Sequence, residues 1–154
     1  MMAGGVAIDL DGTVADTRPL WNDWLASAEG ILGIDRNALP ADRGEAAAEL
    51  DRVGAGNWRV LLERFAEERV AVYLRREAAA SIALKTLAED RREIGVYTDA
   101  PEPLAKVALA HLGMERRVVA LETGSGALER LLDRLGADAV VVRSRAELLE
   151  LGAA

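Results

Sequence analysis

The chain has 154 residues, of which 51% are hydrophobic and 29% charged, and its formal net charge is −7. This length suits one domain, and a chain with no cysteine and a single histidine excludes disulfides and zinc sites built from thiolates or paired histidines. The acidic net charge opposes nucleic-acid binding. No apolar run approaches the ~20 residues of a bilayer span, and the amino-terminal sequence has no features of a secretory signal. We expect a cytoplasmic protein with neither nucleic-acid nor membrane partners, whose oligomeric state the sequence does not indicate.

The first half of the chain predicts one strand followed by a long helical segment. An apolar run over 6–10 follows two glycines and ends at Asp11-Gly12-Thr13, which is typical of a buried strand followed by a turn. Apolar residues then recur at helical spacing through most of 19–80. Within that segment we expect a loop over 37–44 and a helix over 45–53.

The stretch between Asn57 and Ile94 contains no glycine or proline. A single helix of that length would be unusual in a compact domain. We therefore predict a helix break at 78–81, with Ser81 as the N-cap of the following helix.

The second half of the chain alternates between strand and helix patterns. Predicted strands cover 94–97, 118–121 and 139–142, and predicted helices cover 101–112, 127–135 and 146–151. This alternation favours a parallel sheet with helices on both faces. We therefore predict an α/β, Rossmann-like three-layer core with a parallel sheet of about four strands, interrupted after its first strand by a small helical insertion.

The segment from Asp9 to Asp16, DLDGTVAD, carries the sharpest chemical signal. Asp9 and Asp11 are two residues apart at the carboxyl end of the first strand, the edge where open α/β sheets bind ligands. Two neighbouring carboxylates repel each other unless a cation neutralises them, and Mg²⁺ prefers such oxygen ligands beside a phosphate. The pair suits phosphoryl transfer, in which one aspartate attacks phosphorus and the other handles a proton.

This segment resembles the first signature, DxDGTxxD, of the haloacid dehalogenase-like (HAD) superfamily, and the following helical segment resembles its inserted cap domain. The resemblance implies that Asp9 is the nucleophile and Asp11 the acid/base, as in the phosphatase branch rather than in a dehalogenase. It also implies a core domain of residues 1–16 and 81–154 and a cap of residues 17–80. Thr98, at the end of the second strand, is similar to the residue that binds the transferred phosphoryl group.

The third and fourth signatures of the superfamily are degenerate in this chain. The expected lysine is missing, since the only two lysines, Lys85 and Lys106, lie elsewhere in the pattern. Arg143 stands where an acidic metal ligand is usual, and Glu147 could replace the second acid. The guanidinium of Arg143 would pair with Asp9 or Asp11 and compete with Mg²⁺.

Two interpretations follow from these departures. The chain is a Mg²⁺-dependent phosphohydrolase that acts on a small phosphorylated metabolite through an aspartyl-phosphate, or it is an impaired relative that binds anions or serves in regulation. The predicted site residues are Asp9 and Asp11 for catalysis; Gly12, Thr13, Thr98, Asp99 and Arg143 for phosphate; and Asp9, Asp11 through its backbone carbonyl, and Glu147 for Mg²⁺. Asp99 could contact substrate or simply begin a turn.

Two further features each have a functional and a structural interpretation. The Gly-Ser-Gly sequence at 124–126 could form an anion-binding nest, but such a loop is more often a connection with Ser125 as the helix N-cap. Trp21, Trp24 and Trp58 could line a substrate pocket, although their helical spacing favours packing in the core.

Overall fold

A computed structural model describes residues 4–154 of the chain, so the first three residues of the predicted core segment lie outside it. Four strands form one parallel sheet in the order β3-β2-β1-β4. The strands are β1 (Val6–Asp9), β2 (Ile94–Thr98), β3 (Val118–Thr123) and β4 (Val140–Val142). The predicted α/β core with four parallel strands is confirmed.

Within residues 4–154 seven helices of nine residues or more accompany this sheet, and those outside the insertion supply the other two layers. They are α1 (Arg18–Leu32), α2 (Arg43–Arg52), α3 (Trp58–Tyr73), α4 (Ala78–Glu89), α5 (Glu102–His111), α6 (Ala127–Leu135) and α7 (Arg145–Ala153). Helix α6 covers one face of the sheet, where Leu131 packs with Ala7 and Ala120. The opposite face, which includes Ile8 and Val96, packs against the larger apolar cluster built from the remaining helices.

Close packing under α6 depends on a glycine in the middle of β2. A Cβ atom at Gly95 would lie 2.5 Å from a side-chain carbon of Leu131. The absence of a side chain at Gly95 therefore lets α6 pack closely against the sheet.

The inserted segment contains α1, α2, α3 and the short 3₁₀ helix Arg36–Ala38. Helix α3 packs against α1 and also against the core helix α5. Trp21, Trp24 and Trp58 are buried in this arrangement. The ring centroids of Trp21 and Trp24 are 5.2 Å apart, and those of Trp24 and Trp58 are 6.2 Å apart. The interpretation of these aromatics as core packing is therefore confirmed. One continuous apolar cluster joins the insertion to the core, and the division at residues 17–80 stays a prediction.

Two predicted boundaries differ from the structure. The helix break lies at 74–77 rather than 78–81, because Leu74 is extended and α4 begins within the alanine run at Ala78, so Ser81 is not an N-cap. Helix α2 begins at Arg43 rather than at 45, because the Asp42 carboxylate caps it by accepting the Glu45 N–H. The second difference places Arg43 in the first turn of a helix instead of in a loop.

Between residues 4 and 154 there is no helix with the length and apolar character needed to cross a membrane.

Candidate active site

The carboxyl ends of the four strands meet at one edge of the sheet, where the Asp9–Asp16 segment forms a tight turn. The backbone leaves β1 at Asp9 and turns over Leu10–Thr13, where Asp11 and Gly12 have non-helical backbone angles. Gly12 has a φ of +95°, which favours glycine, and its N–H donates to the Ala15 carbonyl at 2.8 Å. The turn therefore projects both aspartates from one strand end.

The carboxylate of Asp11 is saturated with hydrogen bonds. It accepts the N–H and the hydroxyl of Thr17, each at 2.7 Å, and the hydroxyl of Thr98 at 3.0 Å. The fourth donor is Nη2 of Arg43, at 2.5 Å. A carboxylate offers about four acceptor positions, so Asp11 has none left for a further donor.

Arg43 brings a positive charge into this site from the insertion. Its side chain is only 3% exposed, and it bonds the Asp99 carboxylate through Nε and Nη2, at 3.1 and 2.8 Å. Its Nη1 donates to the Thr17 hydroxyl at 2.7 Å, and its backbone N–H donates to Asp99 at 3.0 Å. The guanidinium thus bridges two carboxylates on the core, a geometry that its planar fork favours.

The charge of Arg43 determines the ionisation of Asp99. Burial alone would raise the pKa of this carboxyl group, but the hydrogen bonds and the charge of Arg43 hold the pKa of Asp99 below its ordinary value. Asp99 is therefore an ionised partner of Arg43 near neutral pH.

Asp9 is in a different environment from its neighbours. Its carboxylate accepts one hydrogen bond in the described structure, from the Asp11 N–H at 3.2 Å. Burial and then the charge of Asp11 raise the pKa of Asp9 to about 6. Asp9 is thus the carboxylate of this site that retains free acceptor positions, and it is mostly ionised only above that pH.

The raised pKa of Asp9 predicts a pH-dependent effect of the substitution Asp9→Asn on stability. The pKa is higher in the folded chain than the unfolded value of about 4, so the folded state favours the neutral carboxyl group. The ionised form opposes folding fully above about pH 6, and this penalty disappears below about pH 4. Asp9→Asn should therefore raise the melting temperature near pH 8 relative to the wild type, by an amount that shrinks as the pH falls.

Thermal unfolding of both proteins between about pH 4 and 8 measures this difference. Asp16→Asn is the matched control, because Asp16 is exposed and its pKa is lowered by a hydrogen bond from Arg18. A melting-temperature difference for Asp9→Asn that does not change with pH would contradict the assignment.

A crevice of about 280 Å³ opens beside these carboxylates. Asp9, Thr98 and Asp99 line it on the core side, and residues 124–126 form another wall. The N-cap of α6 is Gly126, so Ser125 does not have the predicted capping role. The loop does border the same crevice as the aspartates, as a phosphate-binding nest would require.

Helix α2 closes over this loop at very short range. A Cβ atom at Gly44 would lie 2.4 Å from the Ser125 backbone nitrogen. Asp42, the N-cap of α2, also lines the crevice. The insertion therefore borders the site with the first turn of α2, and Gly44 permits the close approach that seats Arg43.

The remaining predicted phosphate ligands lie around the turn, with different partners. The Thr13 hydroxyl is buried and has no hydrogen-bond partner among residues 4–154, and the Thr13 carbonyl accepts a hydrogen bond from Nε of Arg145 at 3.2 Å. Gly12 is exposed. Arg143 is exposed, and its guanidinium makes no salt bridge within residues 4–154, so the expected pairing of Arg143 with Asp9 or Asp11 is wrong.

Glu147 acts locally as part of a helix cap. Its N–H donates to the Ser144 hydroxyl at 3.2 Å, while its carboxylate accepts the backbone N–H of Arg143 at 2.9 Å. Such reciprocal bonds resemble a capping box, which the Ser-x-x-Glu spacing at 144–147 could have indicated.

The predicted Mg²⁺ ligands do not assemble in this conformation. No group of three or more acidic or histidine side chains within residues 4–154 could hold a metal ion. The Asp11 carboxylate is saturated by Arg43 and the two threonines, and Glu147 caps its own helix. The predicted carboxylate ligands therefore do not come together around one metal position, while Asp9 keeps free acceptor positions and the role of the Asp11 backbone carbonyl stays a prediction.

Sequence reasoning missed Arg43 and Thr17. The Asp-x-x-Glu spacing at 42–45 is a helix-start signal that would have indicated a helix beginning at Arg43 instead of a loop over 37–44. Thr17 is buried just before α1 and follows the motif directly, but a threonine there gives no signal of the carboxylate that it binds.

No protein-family model matches the chain, and no curated protein sequence is significantly similar to it. Solved structures do resemble it. A protein assigned as a beta-phosphoglucomutase from Thermotoga maritima has a TM-score of 0.59 and 17% identity, over 98% of this chain and 82% of that one. CbbY from Rhodobacter sphaeroides, in complex with phosphate, has a TM-score of 0.67 and 16% identity, over 99% and 84%. At these identities the likenesses concern the fold, and they confirm the α/β architecture predicted from the sequence.

Proposed function

We propose that this chain is a phosphohydrolase that acts on a small phosphomonoester through a covalent aspartyl-phosphate on Asp9. The observation that carries the proposal is the contrast between the two motif aspartates. Asp9 accepts one hydrogen bond and faces the crevice, whereas Asp11 is surrounded by donors. An ionised carboxylate with free acceptor positions at a strand end suits a nucleophile.

The reaction has two steps in this proposal. A carboxylate oxygen of Asp9 attacks phosphorus, the bond from phosphorus to the substrate oxygen breaks, and Asp11 donates a proton to the departing alcohol. Water then attacks the aspartyl-phosphate, the bond from phosphorus to the Asp9 oxygen breaks, and Asp11 takes a proton from that water. Because four donors surround Asp11 in this conformation, its proton transfer requires that Arg43 first withdraws.

The crevice offers several groups for a phosphoryl dianion. Thr98 lies on its wall, as does the 124–126 loop, and we keep Gly12, Thr13 and Arg143 as proposed contacts from the turn and from the end of β4. Asp99 is proposed to act on the substrate side through Arg43, with which it is paired. The phosphate in the CbbY structure is consistent with a site of this kind in the shared fold.

The dimensions of the crevice limit the substrate class. Its volume of about 280 Å³ is just below the range of roughly 300–1,000 Å³ that is usual for ligand pockets. We propose a phosphorylated metabolite with only a few carbon atoms, enclosed by the cap of residues 17–80 through the first turn of α2.

A panel of phosphomonoesters of increasing size tests the proposal, with release of inorganic phosphate as the measurement. Saturable turnover of a short-chain ester and weaker turnover of bulky ones are expected. Acid quenching after mixing with labelled substrate should trap the label on the peptide that contains Asp9. Absence of turnover across the panel would overturn the proposal and leave the interpretation as an anion-binding relative.

A further inference from the structure

A buried cation already neutralises part of the carboxylate cluster. The guanidinium of Arg43 contacts Asp11 and Asp99 at once, and its side chain is 3% exposed. An arginine side chain cannot lose its proton in a protein, so this positive charge is permanent. Asp11 and Asp99 therefore share one fixed counter-charge, and Asp9 lies beside this pair without a bond to Arg43.

Arg43 is held in place by both its backbone and its side chain. Its backbone N–H and its guanidinium both bond Asp99, so the residue is held at two points. The next residue, Gly44, lies directly against Ser125 with no room for a side chain. These contacts fix the backbone of Arg43 beside Asp99, and departure of the guanidinium would break its bonds to both carboxylates.

A divalent metal in this crevice would meet an incomplete ligand set. The Asp11 carboxylate has no free acceptor position, and one carboxylate oxygen of Glu147 accepts a backbone N–H. Within residues 4–154, no three acidic or histidine side chains are grouped so that they could hold a metal ion. Mg²⁺ requires near-ideal octahedral geometry, which Asp9 and the adjacent backbone carbonyl of Asp11 do not provide by themselves. The guanidinium bound to the Asp11 carboxylate also repels a metal ion, and this repulsion lowers its affinity on the order of tenfold to hundredfold.

We infer that Arg43 is the resident cation of this crevice and that its presence excludes Mg²⁺ from Asp9. In this conformation Arg43 supplies a positive charge at the carboxylates, where the chain has neither the signature lysine nor the usual acidic metal ligand. This inference rests on the site of the proposed function, but it is tested by Mg²⁺ binding, whereas the proposed function is tested by phosphate release. Failure of one experiment therefore does not decide the other.

Isothermal titration of Mg²⁺ into the full chain without substrate tests the inference. The wild type should show no saturable binding that depends on Asp9. Arg43→Gln removes the charge but keeps a polar side chain, and it should raise Mg²⁺ affinity at least about tenfold. Adding Asp9→Asn to the Arg43→Gln variant should abolish the Mg²⁺ binding that Arg43→Gln gains.

Two further variants complete the design. Arg52→Gln is the matched control, because Arg52 lies on the same helix but is exposed and paired with Glu49, and it should gain no binding. The double variant Arg43→Gln/Asp99→Asn also removes the charge of Asp99, which the loss of Arg43 would leave unpaired. It replaces the single variant in the titration if Arg43→Gln does not fold. The inference is overturned by Asp9-dependent Mg²⁺ binding in the wild type, or by folded Arg43 variants that bind no Mg²⁺.

Discussion

Replacing Asp9 with asparagine is expected to lower the hydrolysis of a phosphomonoester by about 10³-fold or more, with little change in KM. The amide is almost the same size as the carboxylate and can still accept the Asp11 N–H, so the turn should persist. The amide lacks the anionic oxygen that attacks phosphorus, and loss of a nucleophile removes transition-state stabilisation without removing substrate contacts. Steady-state kinetics on the best substrate of the panel measures the effect.

Asp16→Asn is the matched control for this experiment. Asp16 belongs to the same eight-residue segment, but its carboxylate is exposed and bonds Arg18. Its loss should change kcat by less than about threefold, since exposed ion pairs contribute little to the structure. Equal kinetic effects of the two substitutions, or an active Asp9→Asn variant, would show that Asp9 is not the nucleophile.

Replacing Arg43 with methionine is expected to destabilise the chain by about 3 kcal/mol or more. Methionine fills much of the same volume but leaves the largely buried carboxylate of Asp11 without its cation. Removing one member of a buried ion pair leaves an uncompensated charge, which costs more than the pair contributed. Urea denaturation near pH 7 measures the loss, which is a large fraction of the total stability of a small domain.

The double-mutant cycle with Asp11→Asn separates charge from packing. If an unpaired buried charge causes the loss, Arg43→Met combined with Asp11→Asn should be more stable than Arg43→Met alone. Arg52→Met on the exposed face of α2 should cost less than about 1 kcal/mol. Similar losses for Arg43→Met and Arg52→Met would mean that the buried bridge does not stabilise the fold.

The strands and the first motif could be predicted because they depend on local pattern. The run from Val6 to Asp9 is apolar and short, and glycines and charges bound it, so its burial follows from composition alone. The boundary of α2 could not be placed so well. An alanine-rich pattern predicts a helix but not its first turn, and the capping carboxylate of Asp42 set the start two residues earlier.

The pairing partner of the carboxylates shows a second limit of sequence reasoning. Arg143 was expected there because it occupies a signature position, whereas the structure uses Arg43, which is 32 residues from Asp11. Charge counting establishes only that many arginines are available, since 17 of the 19 cationic residues are arginine. Which of them reaches a carboxylate depends on how helices pack, which no spacing within the chain encodes.

The sequence by itself determined the parallel α/β core, the strand that ends at Asp9 and the scarcity of lysine. These properties follow from residue periodicity and composition, which act over a few neighbouring positions. The tertiary structure decided the electrostatics of the site. Only the packing of α2 against the loop at 124–126 brings Arg43 to Asp11 and Asp99, and leaves Asp9 with a raised pKa. The physical reason is that burial and charge pairing are set by distances across the fold, and these arise after the local elements have assembled.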